Sequence, residues 1–451
     1  MEGLPVYQDD EGKENCENLN SEDLEVVYKS LNYFVTLMEI DYYNTTDPVQ
    51  KIIDVGTVPK VITLLHNSPD NLTHLACRFF IQMLCIHPEH INIIADYGVL
   101  IPLIRLVEKS SDNSMLVGIA LWIIGSIAED PKYREELYEN GPLQTFLSLL
   151  QKSNASFTIG SVSLIVKNLC QGDVSVEKGF KLLEILSLVM KSNNSLSLSN
   201  GASALKEISK LKEMIFYLIE WSLVKLSLDV LKNEVYSRFY ADLLLIIENT
   251  SKENPQHVFS IGTSSVILRF LFGPINPEPA PDGEDEVDPT NTTEAKRLIV
   301  LNILSNLIPS ANTDQIQEFI DLHYFETLIN LLNNDTDSKK VINLLFLLLK
   351  NEDVTFDQME FLVSHFEFLQ VFIIQLEAPN LSSQDKITII KSINHILSIG
   401  DQIQLQKKAE NNSFVANFTS IDGFSRLKTI YETDNTIETH YPLSNILNFE
   451  K

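Results

Sequence analysis

The chain has 451 residues and a formal net charge of −27, from 61 acidic and 34 basic residues. Hydrophobic residues make up 44%, glycine and proline are scarce, and the four cysteines form no CxxC pair, which excludes a disordered chain and a disulfide scaffold. The negative charge disfavours nucleic acid and anionic membranes as partners and favours basic ones, although acidity for solubility alone is an open alternative.

The first 24 residues hold eight acids and one lysine, the opposite of a signal peptide, and predict an acidic disordered tail over 1–24. No apolar run approaches the roughly 18 residues of a membrane span. Together with the unclustered cysteines, these features lead us to expect an intracellular protein without a membrane segment.

From residue 51 onward one pattern recurs, in which an apolar stretch leads to a glycine and then to leucines at helical spacing. Four copies are KIIDVGTVPKVITLL (51–65), NIIADYGVLIPLIRLV (92–107), ELYENGPLQTFLSLL (136–150) and HVFSIGTSSVILRFL (257–271). Their glycines, Gly56, Gly98, Gly141 and Gly262, are separated by 42, 43 and 121 residues, the last being three periods of about 40. The same slot is occupied in further copies by Gly179, Trp221, His323, Phe366 and Gly423. A glycine there can adopt the left-handed backbone that ends one helix before the next, so each copy predicts a tight turn.

A second, longer apolar pattern lies between these turns, for example Leu116, Ile119, Ala120, Ile123 and Ile127. Periodicity alone allows HEAT or armadillo repeats, and the glycine position with short, long and long helices favours armadillo. We predict an all-α fold, a right-handed superhelical armadillo-repeat solenoid of about eight to nine three-helix repeats over 25–445. Residues 446–451 would form a C-terminal tail.

An acidic insertion over 273–293 lengthens the sixth repeat to 61 residues. It holds six acids and no base and is rich in proline, which predicts a solvated loop. A competitor for basic cargo is the alternative interpretation of this segment.

Three stretches resemble the importin-α family. LWIIGSIAED (121–130) is similar to the family motif in which tryptophan is followed four residues later by asparagine, and LIVKNLCQG (164–172) is similar to the next copy. LSNLIPSANTDQIQEFI (304–320) resembles a later repeat. The copies follow the family's order, and the resemblance covers roughly 25–445.

The resemblance implies a groove in which asparagine amides bond the backbone of an extended peptide and indoles pack against lysine stems, since positions i and i+4 share a helix face. The cargo-binding residues that it implies are Gln82, Trp122, Ser126, Asp130, Leu164, Asn168, Glu207, Asn249, Asn302 and Asn306. Asp130 matches the acid that meets the key cargo lysine.

Some positions of the implied groove depart from the family pattern, and several of the residues named above could have a purely structural role. Arg78 stands in a tryptophan slot, where it would repel a lysine. The asparagines can instead satisfy neighbouring helix ends, Trp122 can fill the core, and Asp130 can be a turn residue.

No phosphate-binding loop, HExxH, GxSxG or zinc-ligand spacing occurs in the sequence, so we expect no catalysis, no metal and no cofactor. Two functional interpretations are then left. The first interpretation is a monomeric importin-α-like adaptor that binds basic, nuclear-localisation-type peptide cargo in an acidic concave groove for nuclear protein import, in cytoplasm and nucleus. The resemblance also implies an importin-β-type carrier as a partner. Such a carrier could not bind in the family's usual way, because the family's basic N-terminal segment has no counterpart in the acidic residues 1–24. The second is a non-transport armadillo scaffold that binds a different client in the same groove.

Overall fold

The computed structural model describes residues 9–41, 48–86, 90–109, 114–152, 155–172, 174–233, 238–272, 292–333, 337–378, 381–434, 441 and 443–450. Helices connected by short turns make up this described part, and it contains no strand. The chain divides into two compact units, Met1–Ser227 and Leu228–Lys451.

The first unit is a series of helices that repeat at the predicted period. They are α1 (Asp9–Asn18), α2 (Leu24–Asp41), α3 (Pro48–Asp54), α4 (Thr57–Asn67), α5 (Asp70–Ile86), α6 (Ile91–Asp96), α7 (Leu100–Lys109), α8 (Ser114–Ile127), α9 (Pro131–Asn140), α10 (Leu143–Lys152), α11 (Ser156–Leu169), α12 (Val176–Val189), α13 (Ser195–Ser209) and α14 (Lys212–Glu220). α15 (Leu223–Leu231) begins in this unit and ends in the second. Three triplets, α3–α5, α6–α8 and α9–α11, each end on their longest helix, and we call that helix the third helix of its repeat.

The second unit continues the same order. Its helices are α16 (Tyr240–Glu253), α17 (Pro255–Ser260), α18 (Thr263–Ile267), α19 (Thr293–Leu307), α20 (Thr313–Asp321), α21 (Tyr324–Asn333), α22 (Ser338–Leu349), α23 (Phe356–His365), α24 (Phe368–Leu376), α25 (Ser383–Lys407), α26 (Ser413–Ser420), α27 (Gly423–Thr433) and α28 (Ser444–Leu447). Triplets α17–α19, α20–α22 and α23–α25 repeat the arrangement of the first unit.

Third helices pack side by side within each unit. In the first unit α2 packs on α5, α5 on α8, α8 on α11 and α11 on α13, and in the second unit α16 packs on α19, α19 on α22 and α22 on α25. Because α2, α13 and α16 occupy the same place in this packing, we include them among the third helices, which gives nine in the described part of the chain and agrees with about eight to nine repeats. The all-α repeat solenoid is therefore confirmed, whereas the handedness of its superhelix stays a prediction.

Turns between the first two helices of a repeat use left-handed backbone, as the glycine pattern predicts. Gly56, Gly98 and Gly262 have φ of 83°, 81° and 77°. The prediction is wrong at Gly141, whose φ is −74° and whose backbone is extended. Pro142 follows it, and a residue before proline is driven toward extended backbone.

At four further turns, the left-handed residue is not a glycine and lies at or beside the predicted slot. His323 has φ 59° as predicted, whereas Ser222 after Trp221, Glu367 after Phe366 and Asp422 before Gly423 take the positive φ at the other three.

The fourth repeat departs from the three-helix pattern. Gly179, predicted at a turn, lies inside α12. No proline or left-handed residue interrupts that helix, so the repeat consists only of α12 and α13.

Both predicted tails prove to be partly folded, which corrects the domain boundaries. α1 lies within the segment 1–24 that we expected to be disordered, and its Cys16 is only 2% exposed. Lys60 Nζ donates to the Cys16 carbonyl at 2.8 Å, so α1 is joined to the first complete repeat. At the other end Ile446 of α28 is fully buried, so the folded part extends beyond 445. Of the insertion 273–293, residues 273–291 lie outside the described residues.

Within the described ranges, no single helix is long and apolar enough to cross a membrane. One pair of these helices, α23 and α24, is long and apolar enough when the two are taken together, and the pair bends by 54° at the break.

Candidate functional site

An open cavity of about 360 Å³ lies on the third helices α8, α11 and α13 of the first unit. Its apolar lining consists of Trp122 from α8, Phe157 and Leu164 from α11, and Leu196 from α13. We call these four residues the apolar pocket. Trp122 and Leu164, which the resemblance assigns to equivalent slots of successive repeats, therefore line one cavity.

Small residues beneath the bulky ones bring the three helices close together. A Cβ on Gly118 of α8 would lie 2.4 Å from a ring carbon of Phe157, so that ring occupies the space that an alanine would need. Gly160 of α11 lies beside Leu196 of α13 but leaves more room, because a Cβ on Gly160 would be 4.0 Å from the nearest leucine carbon, an ordinary contact distance. Ser161 Oγ donates to the Gly118 carbonyl at 3.2 Å, and Asn200 Nδ2 donates to Ser163 Oγ at 3.0 Å. These contacts make a glycine- and serine-rich floor under the pocket.

Phe157 and Leu196 are residues that the sequence analysis missed. They are 51% and 64% exposed, which is unusual for large apolar side chains, and Met115 at the start of α8 is 64% exposed as well. Met115 and Phe157 each precede the slot residue of their helix, Trp122 or Leu164, by seven residues. A seven-residue spacing returns to the same helix face, so an apolar residue at that offset was the available signal.

The apolar pocket is electrically neutral. None of the described residues that line it is charged, and α8 contains no charged residue at all. α11 carries only Lys167, and α13 carries only Lys206 and Glu207, all toward the helix C-termini. The acidic character predicted for the groove is thus absent at this pocket.

Asn168 faces the neighbouring helix instead of solvent. It is 1% exposed, and its Nδ2 donates to the Gly125 carbonyl of α8 at 2.8 Å. The Gly125 carbonyl lies in the last turn of α8. The Glu129 amide, which would bond to it in a continued α-helix, donates to the Ser126 carbonyl instead. The Asn168 side chain therefore satisfies a helix end of the preceding repeat, the structural alternative considered for the asparagines.

Asp130 begins a helix and does not lie on a third helix. Its carboxylate accepts from the Lys132 amide at 2.8 Å and caps α9, with Pro131 at the first helical position. Such a cap is the ordinary role of an aspartate before proline. Ser126 lies half-buried in the last turn of α8.

Two further predicted residues of the first unit contact charged neighbours. Gln82 Nε2 donates to Glu39 of α2 at 3.3 Å, and Arg78 forms an ion pair with the same carboxylate. Glu207 pairs with Lys210 at 2.5 Å.

The predicted asparagines of the second unit contact polar side chains of their own or a neighbouring third helix. Asn306 Nδ2 donates to Ser251 of α16 at 2.9 Å, and Asn302 accepts from Lys340 of α22. Asn249 accepts from Lys252 at 3.3 Å, one turn along α16. Of the ten predicted site residues, Trp122 and Leu164 line one cavity together.

Within the described part of the chain, no group of three His, Cys, Asp or Glu residues could hold a metal ion.

Comparisons with known proteins agree with the fold. No protein-family model matches the chain, and no curated protein matches it. Among solved structures, an engineered protein of a structural genomics consortium has a TM-score of 0.65 at 15% identity, over 97% of this chain and 98% of that one. This likeness shows the fold alone.

Two shorter designed proteins are also similar. A computationally designed armadillo repeat protein for modular peptide recognition matches 52% of this chain and 98% of its own, at 19% identity and TM-score 0.47. A designed armadillo repeat protein in complex with the peptide (KR)4 matches 53% of this chain and 98% of its own, at 20% identity and TM-score 0.45.

Proposed function

We propose that this chain is a non-catalytic repeat scaffold that binds a peptide segment of a partner protein on the third helices of its first unit. The apolar pocket carries this proposal, because adjoining exposed apolar side chains on a soluble fold are characteristic of interaction sites. Serine and asparagine side chains surround the pocket, and such groups can bond the backbone of a bound segment.

A finer candidate is the importin-α-like adaptor, which would bind basic nuclear-localisation-type cargo and work between cytoplasm and nucleus. It is supported by the resemblance of 121–130 and 164–172, by the excess of acids in the chain, and by the shared pocket of Trp122 and Leu164. The neutral pocket, the inward-facing Asn168 and the capping role of Asp130 weigh against it. A basic cargo and an importin-β-type carrier are therefore partners proposed only under the adaptor candidate, and the scaffold proposal does not require them.

A peptide-display selection tests the scaffold proposal. A random peptide library is selected on the wild-type chain, and enriched peptides are then measured by fluorescence anisotropy. Leu164→Asn should weaken their binding about tenfold, since it puts an amide in the apolar pocket. Leu298→Asn changes a partly exposed leucine of α19 and should leave binding unchanged. The proposal is overturned if no peptide is enriched, or if both variants weaken binding equally.

The adaptor candidate has its own measurement. A fluorescein-labelled lysine-rich nuclear-signal peptide should bind with micromolar affinity that weakens with salt, and Asp130→Ala should weaken it further. Absence of binding at low salt would remove the adaptor candidate and leave the scaffold proposal intact.

A further inference from the structure

We infer that the apolar pocket recognises a bulky, uncharged side chain of the partner segment, such as Phe, Trp, Leu or Met, and rejects lysine-rich segments. This inference rests on the proposed scaffold function and names the chemistry of its ligand.

The exposure of the pocket residues and the shape of the cavity support a bulky apolar side chain as the ligand, which we call the apolar anchor. The Phe157 ring packs directly on Gly118 of α8, Leu196 lies beside Gly160 of α11, and both side chains line a cavity of about 360 Å³ while 51% and 64% exposed. Filling that cavity with an apolar side chain would remove large parts of Phe157, Leu196 and the half-buried Trp122 from water, which is the main favourable term in association.

Charge supports the same ligand and disfavours a cationic one. The three helices that carry the pocket contain two lysines and one glutamate, in a chain whose net charge is −27. An ammonium group that entered the pocket would lose water without meeting a carboxylate from any lining residue, an unfavourable exchange. A neutral apolar side chain carries no such penalty.

The experiment uses two matched pairs of variants in the full chain. Phe157→Gln and Leu196→Gln alter the pocket, whereas Phe216→Gln and Leu405→Gln change more exposed residues of the same types on α14 and α25. A Trp221→Phe background leaves Trp122 as the only indole, so its fluorescence reports occupancy of the pocket. The probes are the peptides enriched from the display library and a labelled octapeptide of alternating lysine and arginine. Circular dichroism confirms that each variant is folded.

We expect enriched peptides to contain a bulky apolar residue and no excess of lysine or arginine. Each pocket variant should weaken their binding about tenfold and abolish the Trp122 response, while the control variants stay within about twofold. Binding should change little with salt, because no charge pair forms.

Three outcomes would overturn the inference. If the enriched peptides are rich in lysine and arginine, or the basic octapeptide binds more tightly, the scaffold function stands and the apolar anchor is wrong. If no peptide binds, both fail together. If size-exclusion chromatography shows a dimer that Phe157→Gln dissociates, the pocket is covered by a second copy of the chain.

Discussion

At four of the described turns between the first two helices of a repeat, a residue other than glycine has left-handed backbone. Ser222, His323, Glu367 and Asp422 have φ between 52° and 62° at positions equivalent to Gly56, Gly98 and Gly262. For an L-amino acid this conformation costs roughly 1–2 kcal/mol, because Cβ approaches the following carbonyl oxygen. These turns therefore store strain that the packing of the flanking helices offsets.

Glu367 offers a clean test of that strain, since its side chain is exposed and it immediately precedes α24. Glu367→Gly should raise the free energy of unfolding by about 1 kcal/mol through relief of the backbone. Glu367→Ala removes the same carboxylate but keeps a Cβ, and should leave stability unchanged. Urea denaturation measures both. An equal gain for glycine and alanine would assign the effect to the charge.

Gly56→Ala is the reciprocal change. No atom lies within 4 Å of a Cβ built on Gly56, so a loss of about 1 kcal/mol would come from backbone conformation alone.

Thiol accessibility tests the position of α1. Cys16, Cys77 and Cys170 are buried and Cys85 is exposed, and burial raises the pKa of Cys77 to about 12. The native chain should therefore react with one equivalent of a disulfide reagent, and with four after unfolding in guanidinium chloride. Cys85→Ser should leave no fast-reacting thiol. Rapid reaction of Cys16 in that variant would mean that α1 is not docked against the first repeat.

At the scale of elements, polar side chains of one repeat satisfy carbonyl groups at helix ends of the preceding one. Asn168 donates to Gly125, and His395 Nε2 lies 2.7 Å from the carbonyl of Leu349 at the end of α22. Asn351 Nδ2 donates to the Ile308 carbonyl, after α19, at 2.6 Å. This arrangement couples neighbouring repeats through hydrogen bonds in addition to apolar packing.

Asn168→Ala tests whether that coupling or ligand binding is the role of this residue. The change leaves the buried Gly125 carbonyl unsatisfied, so we expect a loss of about 1–3 kcal/mol of stability and faster hydrogen exchange in α8 and α11. Asn32→Ala, at an exposed asparagine of α2, should have almost no effect. If Asn168→Ala weakens peptide binding while stability and exchange stay unchanged, the role implied by the importin-α resemblance is correct.

Sequence periodicity predicted the elements well and the orientation of single side chains poorly. The spacing of Gly56, Gly98 and Gly262 located the turns, because glycine is the residue most often found where a helix ends in left-handed backbone. Spacing could also place Leu164 and Asn168 on one helix face. It could not tell which of them faces α8, since this depends on how closely α8 approaches α11.

The whole molecule carries 27 more acidic than basic charges, and about 14 of these remain when 1–24 and 273–293 are left out. Surface ion pairs such as Arg426–Glu377, with nitrogen–oxygen distances of 2.6 Å, use some of the acids. Each exposed pair contributes only about 0–1 kcal/mol, whereas the unpaired excess repels itself throughout the fold. The repulsion between the excess acidic groups should therefore determine how the stability of the chain changes with salt concentration.

We expect the thermal midpoint to rise by about 2 °C or more between roughly 0.01 M and 0.15 M sodium chloride, because the screening length falls from about 30 Å to 8 Å. Differential scanning fluorimetry at pH 7 measures the shift. Choline chloride at equal ionic strength should give the same rise, which separates general screening from sodium binding to carboxylates. A midpoint that falls with salt would mean that ion pairs such as Arg426–Glu377 outweigh the repulsion between the excess acids.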